Sequence, residues 1–237
     1  MNSNLQTTLN TQIQLGSRSN PAFNILLNDY VKYHLVLVIF GGLLLLLFIG
    51  LAIFLLARWK KVPKGGKRKW TFEKKTYFLF GLLTSFIGLL VALLVAVNAT
   101  TVMNPRSGLS SLAGSINTPV AGTPANTLYQ SYNTWIKSGS AHIPPLIQSN
   151  VRKRLSWQRP KAIICSILFV VSTILTTYIW HTLIRHSRAQ AKWKLHDRLF
   201  MALGVLLVMI TLLLMIMAVA NTQGAFGPIG LALLPLT

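Results

Sequence analysis

Four uninterrupted apolar runs set the limits on what this chain can become. They lie at about Leu35–Ala57, Tyr77–Ala99, Ala162–Ile184 and Leu199–Asn221, and none contains an acid, a lysine or an arginine. Each reaches the length of about 20 residues that a helix needs to cross a ~30 Å hydrocarbon core. Inside hydrocarbon every backbone N–H and C=O must be satisfied within the segment, so each run predicts a helix. A β-barrel is excluded, because the runs are continuous and do not alternate. The expected fold class is therefore all-α: an integral, multi-pass membrane protein with four transmembrane helices arranged as two hairpins.

Charge supports lipid, not water, as the solvent. Only 11% of residues are charged, against about 25% in soluble globular domains. There are 23 Lys and Arg but only three acids: Asp29, Glu73 and Asp197. So basic a chain invites a nucleic-acid reading. The positions argue against it, since most of the basic residues crowd the ends of the apolar runs, where lipid phosphates would meet them. Tyr30, Tyr33, Trp59, Trp70, Tyr77, Trp157, Trp180 and Trp193 fall near the same ends, as an interfacial belt of amphipathic rings requires.

The distribution of positive charge gives an orientation. A first basic loop, 58–76, carries Arg58, Lys60, Lys61, Lys64, Lys67, Arg68, Lys69, Lys74 and Lys75. A second, 185–198, carries Arg185, Arg188, Lys192, Lys194 and Arg198. The positive-inside bias places both loops in the cytoplasm and both termini outside it. Arg152, Lys153, Arg154, Arg159 and Lys161 oppose this assignment, because they crowd the outer start of the third span.

The remaining segments divide accordingly. Residues 1–34 read as a polar N-terminal tail, with no signal peptide, and 35–99 as the first hairpin. Residues 100–161 read as an extracytoplasmic connection. Its Ser-, Thr-, Asn-, Gly- and Pro-rich part, 100–142, is expected to be an irregular loop packed on the outer face, or disordered. Ile147, Val151 and Leu155 recur every four residues, which predicts a short interfacial helix at about 144–159, begun by Pro144 and Pro145 and ended by Pro160. Residues 162–221 form the second hairpin. Residues 222–237 read as an apolar tail along the interface or in a partner's groove.

The hairpins resemble each other. When 69–99 is laid on 192–222, Lys69, Trp70, Gly81, Ile87 and Asn98 meet Lys192, Trp193, Gly204, Ile210 and Asn221. Arg58 and Arg185 occupy like positions at the exits of the first and third spans. An internal duplication is therefore expected, its copies related by an axis along the membrane normal.

Chemistry is sparse. Gly81, Ser85, Gly88, Ala92 and Ala96 form a small-residue stripe suited to close helix packing. Ser166, Thr173 and Thr177 share a face of the third span, with Ser172 and Thr176 beside it. They can bond across helices, bond back to their own carbonyls, or line a pore. The five histidines and the single cysteine, Cys165, show no metal-ligand spacing. No cofactor is expected. Glu73 and Asp197 sit at the basic mouths of the second and fourth spans, where pairing with neighbours such as Lys69 and Lys194 is expected. His181 is the one ionisable residue within a span. Lys64, Gly65, Gly66 and Lys67 lack P-loop spacing.

Lys60, Lys61, Lys64, Lys67, Arg68, Lys69, Arg152, Lys153 and Arg154 are the expected contacts to anionic lipid. The reading this favours is a non-enzymatic accessory or scaffold subunit of a membrane complex, binding anionic lipid, an acidic partner or a second copy of itself. A channel or permease component, and a lipid-modifying enzyme using Glu73 or Asp197, are the alternatives.

Overall fold

A computed structural model describes residues 4–16, 19–63, 70–189 and 195–232. Among these residues the chain is mostly helical, with no strand. The helices are α1 (Leu5–Gln14), α2 (Pro21–Lys61), α3 (Phe72–Met103), α4 (Pro105–Ser115), α5 (Pro124–Ser138), α6 (Pro145–Arg188), α7 (Leu195–Phe226) and α8 (Pro228–Leu231). Four of them, α2, α3, α6 and α7, are long and apolar enough to cross a membrane. Such helices mark an integral membrane protein.

The chain divides into two compact units. The first combines Met1–Val38, Ala96–Lys161 and Ala220–Thr237; the second combines Ile39–Val95 and Ala162–Val219.

The first unit replaces the expected polar tail and irregular connection with packed helices. Its core includes Leu5 and Leu9 of α1, Phe23 and Leu26 of α2, Leu109 of α4 and Ile136 of α5, all fully buried. On α5, Leu128, Tyr129, Tyr132, Trp135 and Ile136 are buried together, and their spacing traces one face of a helix. The residues that read as loop formers stand at helix ends instead. The Asn4 side chain accepts the Thr7 N–H at the start of α1, and Thr123 accepts the Asn126 N–H at the start of α5. Pro105 and Pro124 fill first-turn positions, where no N–H is needed. Gly139 closes α5 with φ 63°, a left-handed conformation that glycine adopts without penalty.

Two further expectations are corrected here. Pro160 does not end a short interfacial helix: α6 continues through it from Pro145 to Arg188. The missing N–H costs one ladder bond, and the helix carries on past it. Ile147 is fully buried in the first unit's core and Val151 packs against it, so this stripe faces protein and not headgroups. The expected C-terminal tail, as far as residue 232, is likewise internal. Ala232 is fully buried, Tyr132 donates its hydroxyl to the Ile229 carbonyl at 2.9 Å, and the Gly230 N–H donates to Asp29 Oδ2 at 2.7 Å.

The second unit is built on close helix approach. A Cβ placed on Gly81 would lie 2.8 Å from Leu56 Cδ2, and one on Gly88 would lie 3.4 Å from Phe48 Cβ. Gly204 approaches Ile179 and Trp180 in the same way, each 3.2 Å from its notional Cβ. Ser172 and Thr176 meet Thr211 through their hydroxyls at 2.7 and 3.2 Å. Leucines such as Leu43, Leu46, Leu47, Leu89 and Leu93 point outward, as a surface solvated by lipid requires.

Candidate functional site

The second unit contains a cleft of about 700 Å³, large enough to take a small ligand. Helical periodicity assembles it. From α2 come Leu51, Phe54, Leu55 and Arg58, which fall on one helix face; α3 gives Tyr77, Phe80 and Thr84. A third wall is the face of α6 that runs from Thr177 through Trp180 and His181 to Arg185 and Arg188. The cations therefore collect where α2 and α6 end, and the apolar side chains line the rest. Phe80 and Trp180 stand edge to face at 4.6 Å. The Trp180 ring is fixed by a hydrogen bond from Nε1 to the Gly204 carbonyl at 3.3 Å.

The acids near this mouth both have described partners on α6. Arg188 grips Glu73 with two hydrogen bonds, one from Nε to Oε2 at 2.9 Å and one from Nη2 to Oε1. That bond and the Glu73 charge raise the guanidinium above its ordinary range. Asp197 lies 3.4 Å from His186 Nε2. Lys69 and Lys194, the partners expected from the sequence, fall outside the described residues. Among the described residues no carboxylate reaches ion-pair distance of Arg58 or Arg185. The Arg58 guanidinium rests over the Phe54 ring at 5.4 Å.

Other expected site residues scatter. Lys60, Lys61, Arg152 and Lys153 are exposed and Arg154 half-buried, while Lys64, Lys67 and Arg68 lie outside the described residues. Of the small-residue stripe, Gly81 and Gly88 are buried against α2, whereas Ser85 and Ala96 are exposed and Ala92 half-buried. Of the repeat signature, Trp70 packs with Trp59 and Phe78 at 5.8 and 5.2 Å. Asn98 meets His34 Nδ1 at 2.6 Å, Asn221 is half-buried, and Trp193 is not among the described residues. The hydroxyls of Ser166, Thr173 and Thr177 donate to carbonyls four residues back on their own helix. Sequence reasoning did not find the convergence of Arg58, His181, Arg185 and Arg188. The like positions of Arg58 and Arg185, at the ends of the first and third apolar runs, were the available signal.

In the first unit Asp29 holds the segment that follows α7, six residues before the apolar run of α2 begins. Burial pushes its carboxyl from 3.8 up to about 6, opposed by the N–H groups of Gly230 and Ile229 and by Lys32. The folded state thus binds the proton more tightly than the unfolded chain, and stability falls as pH rises from 3.8 to about 6. In micelles the first unit is expected to melt at a lower temperature at pH 7 than at pH 4.5. Asp29→Asn keeps an acceptor for the Gly230 N–H and should flatten this dependence. A variant with the same pH slope as the native protein would show that Asp29 is not its source.

Among the described residues no group of His, Cys, Asp and Glu is arranged to hold a metal ion. Compared with models of known families, with curated proteins and with solved structures, the chain matches none.

Proposed function

We propose that this chain is a non-enzymatic accessory or scaffold subunit of a membrane complex, whose basic end engages anionic lipid or an acidic partner. One observation carries the reading: all three acids are spent inside the chain. Asp29 serves Gly230, Glu73 serves Arg188, and Asp197 faces His186. With 23 Lys and Arg against three acids, the anions that balance the basic end must come from outside the chain. In this reading the basic ends of α2 and α6 face the cytoplasm and both termini lie outside it.

The helices are read as two duplicated hairpins, α2 with α3 and α6 with α7. Support comes from Gly81 packing on Leu56 and Gly204 on Trp180, and from Arg58 and Arg185 sharing one cleft. The alternatives draw less support. A conducting path needs free polar groups, and the hydroxyls of Ser166, Thr173 and Thr177 are committed to their own helix. A carboxylate base needs freedom to move protons, and Glu73 is held by Arg188.

The test is purification from native membranes in a mild detergent at low salt, with crosslinking. A stoichiometric partner that dissociates as salt is raised is the expected result. A protein recovered only as a lone monomer under all these conditions would refute the subunit role.

A further inference from the structure

We propose that the cleft of the second unit holds one anionic phospholipid, with its phosphate between Arg58 and Arg185 and an acyl chain along Phe54, Phe80 and Trp180. The inference rests on the reading that the four long helices cross a bilayer. It goes beyond diffuse attraction between lysines and a charged surface, because it names one bound molecule.

The cleft is chemically divided along its length. Arg58 stands seven residues beyond Leu51 on α2, and Arg188 eleven beyond Thr177 on α6. At 1.5 Å per residue, the charged mouth is about 10 to 16 Å from the apolar floor. An ionic head joined to a hydrocarbon chain matches that division. Inorganic phosphate or a nucleotide would leave the apolar part unfilled. A peptide would bring a row of backbone N–H and C=O groups against walls that are mostly apolar.

Charge makes the same selection. A guanidinium beside hydrocarbon is costly without an anion. Arg188 has Glu73, but among the described residues Arg58 and Arg185 have no carboxylate. The planar fork of arginine suits a phosphate, which it can bind through two parallel hydrogen bonds. The walls also open toward lipid: Leu51 and Phe54 are 46% and 51% exposed, so a chain too long for the cleft can continue along the outer helix surface.

The experiment uses the whole protein in a nonionic detergent, incubated with equal amounts of dioleoyl phosphatidylglycerol and dioleoyl phosphatidylcholine. Bound lipid is counted by native mass spectrometry. One phosphatidylglycerol per chain is expected, retained at least tenfold over phosphatidylcholine, with Arg58→Gln/Arg185→Gln losing that preference. Lys137→Gln, on α5 of the first unit, should keep it.

If the arginine variant fails to fold, quenching of the native protein by a phosphatidylglycerol brominated on its acyl chains decides. Quenching should be strong in the native protein and weaker in Trp180→Phe. No retained lipid, equal retention of the two lipids, an unaltered Arg58→Gln/Arg185→Gln variant, or full displacement by inorganic phosphate would each overturn the proposal. Retained lipid on a protein that never yields a partner would refute the subunit role and leave the cleft assignment standing.

Discussion

Trp135→Ala is expected to destabilise the first unit by about 3–5 kcal/mol, enough to unfold it in mild denaturant. Trp135 is 2% exposed. Its ring meets Tyr132 edge to face at 6.2 Å, and its indole N–H donates to the Ser140 carbonyl at 2.9 Å. Alanine removes the ring, leaves a void where backbone on several sides is already committed, and strands that carbonyl. The neighbours cannot collapse easily, because Tyr129 is tied to the Leu5 N–H at 2.9 Å and Tyr132 to Ile229 at 2.9 Å. Protease protection across 105–143 and the near-ultraviolet dichroism of the aromatic rings should both fall. A change below about 1 kcal/mol would mean that Trp135 does not organise this core.

Gly227→Val is expected to be comparably severe, for a purely steric reason. With φ of −126° the position imposes no special backbone demand. Its notional Cβ, however, would lie 2.4 Å from Tyr33 Cβ and 2.9 Å from both Tyr33 Cα and the Asp29 carbonyl oxygen. Two of these three atoms belong to the α2 backbone, which can yield only by moving the helix. Overpacking of this kind costs typically 1–3 kcal/mol, and more where backbone must shift. Gly224 provides the contrast. The nearest atoms to its notional Cβ belong to the Gln158 side-chain amide, which can rotate away. Gly224→Ala should therefore melt well above Gly227→Val in the same detergent. Equal melting temperatures would contradict the assigned contacts.

The legible part of this fold is the part solvated by lipid. Freedom from charge over about 20 residues is a strong signal because hydrocarbon tolerates so few alternatives. The first unit was hidden for the opposite reason: its helices are short and rich in Asn, Ser and Thr, and it closes by contacts between segments far apart in sequence. Thr8 reaches Asn133 at 2.7 Å, and Asn20 reaches the Ile136 carbonyl at 2.8 Å. No local window contains both partners. The α5 stripe of Leu128, Tyr132, Trp135 and Ile136 was present in the sequence, but composition outweighed periodicity. Pro160 misled because a long helix can carry a proline at the cost of one ladder bond.

The cleft was half visible. In the sequence Arg58 and Arg185 stand alike at the ends of the first and third apolar runs, but only the approach of α2 to α6 brings them to a common mouth. The partner of Glu73 was hidden likewise, since Arg188 lies 115 positions away.

That Asp29 and Gly230 meet across 201 positions of sequence has a consequence for biosynthesis. At about 5–20 residues per second, the ribosome releases Gly230 some 10–40 s after Asp29. During that interval Leu5, Leu9 and Phe23 have no finished interior to enter. A chaperone or the insertion machinery has a defined window in which to hold them.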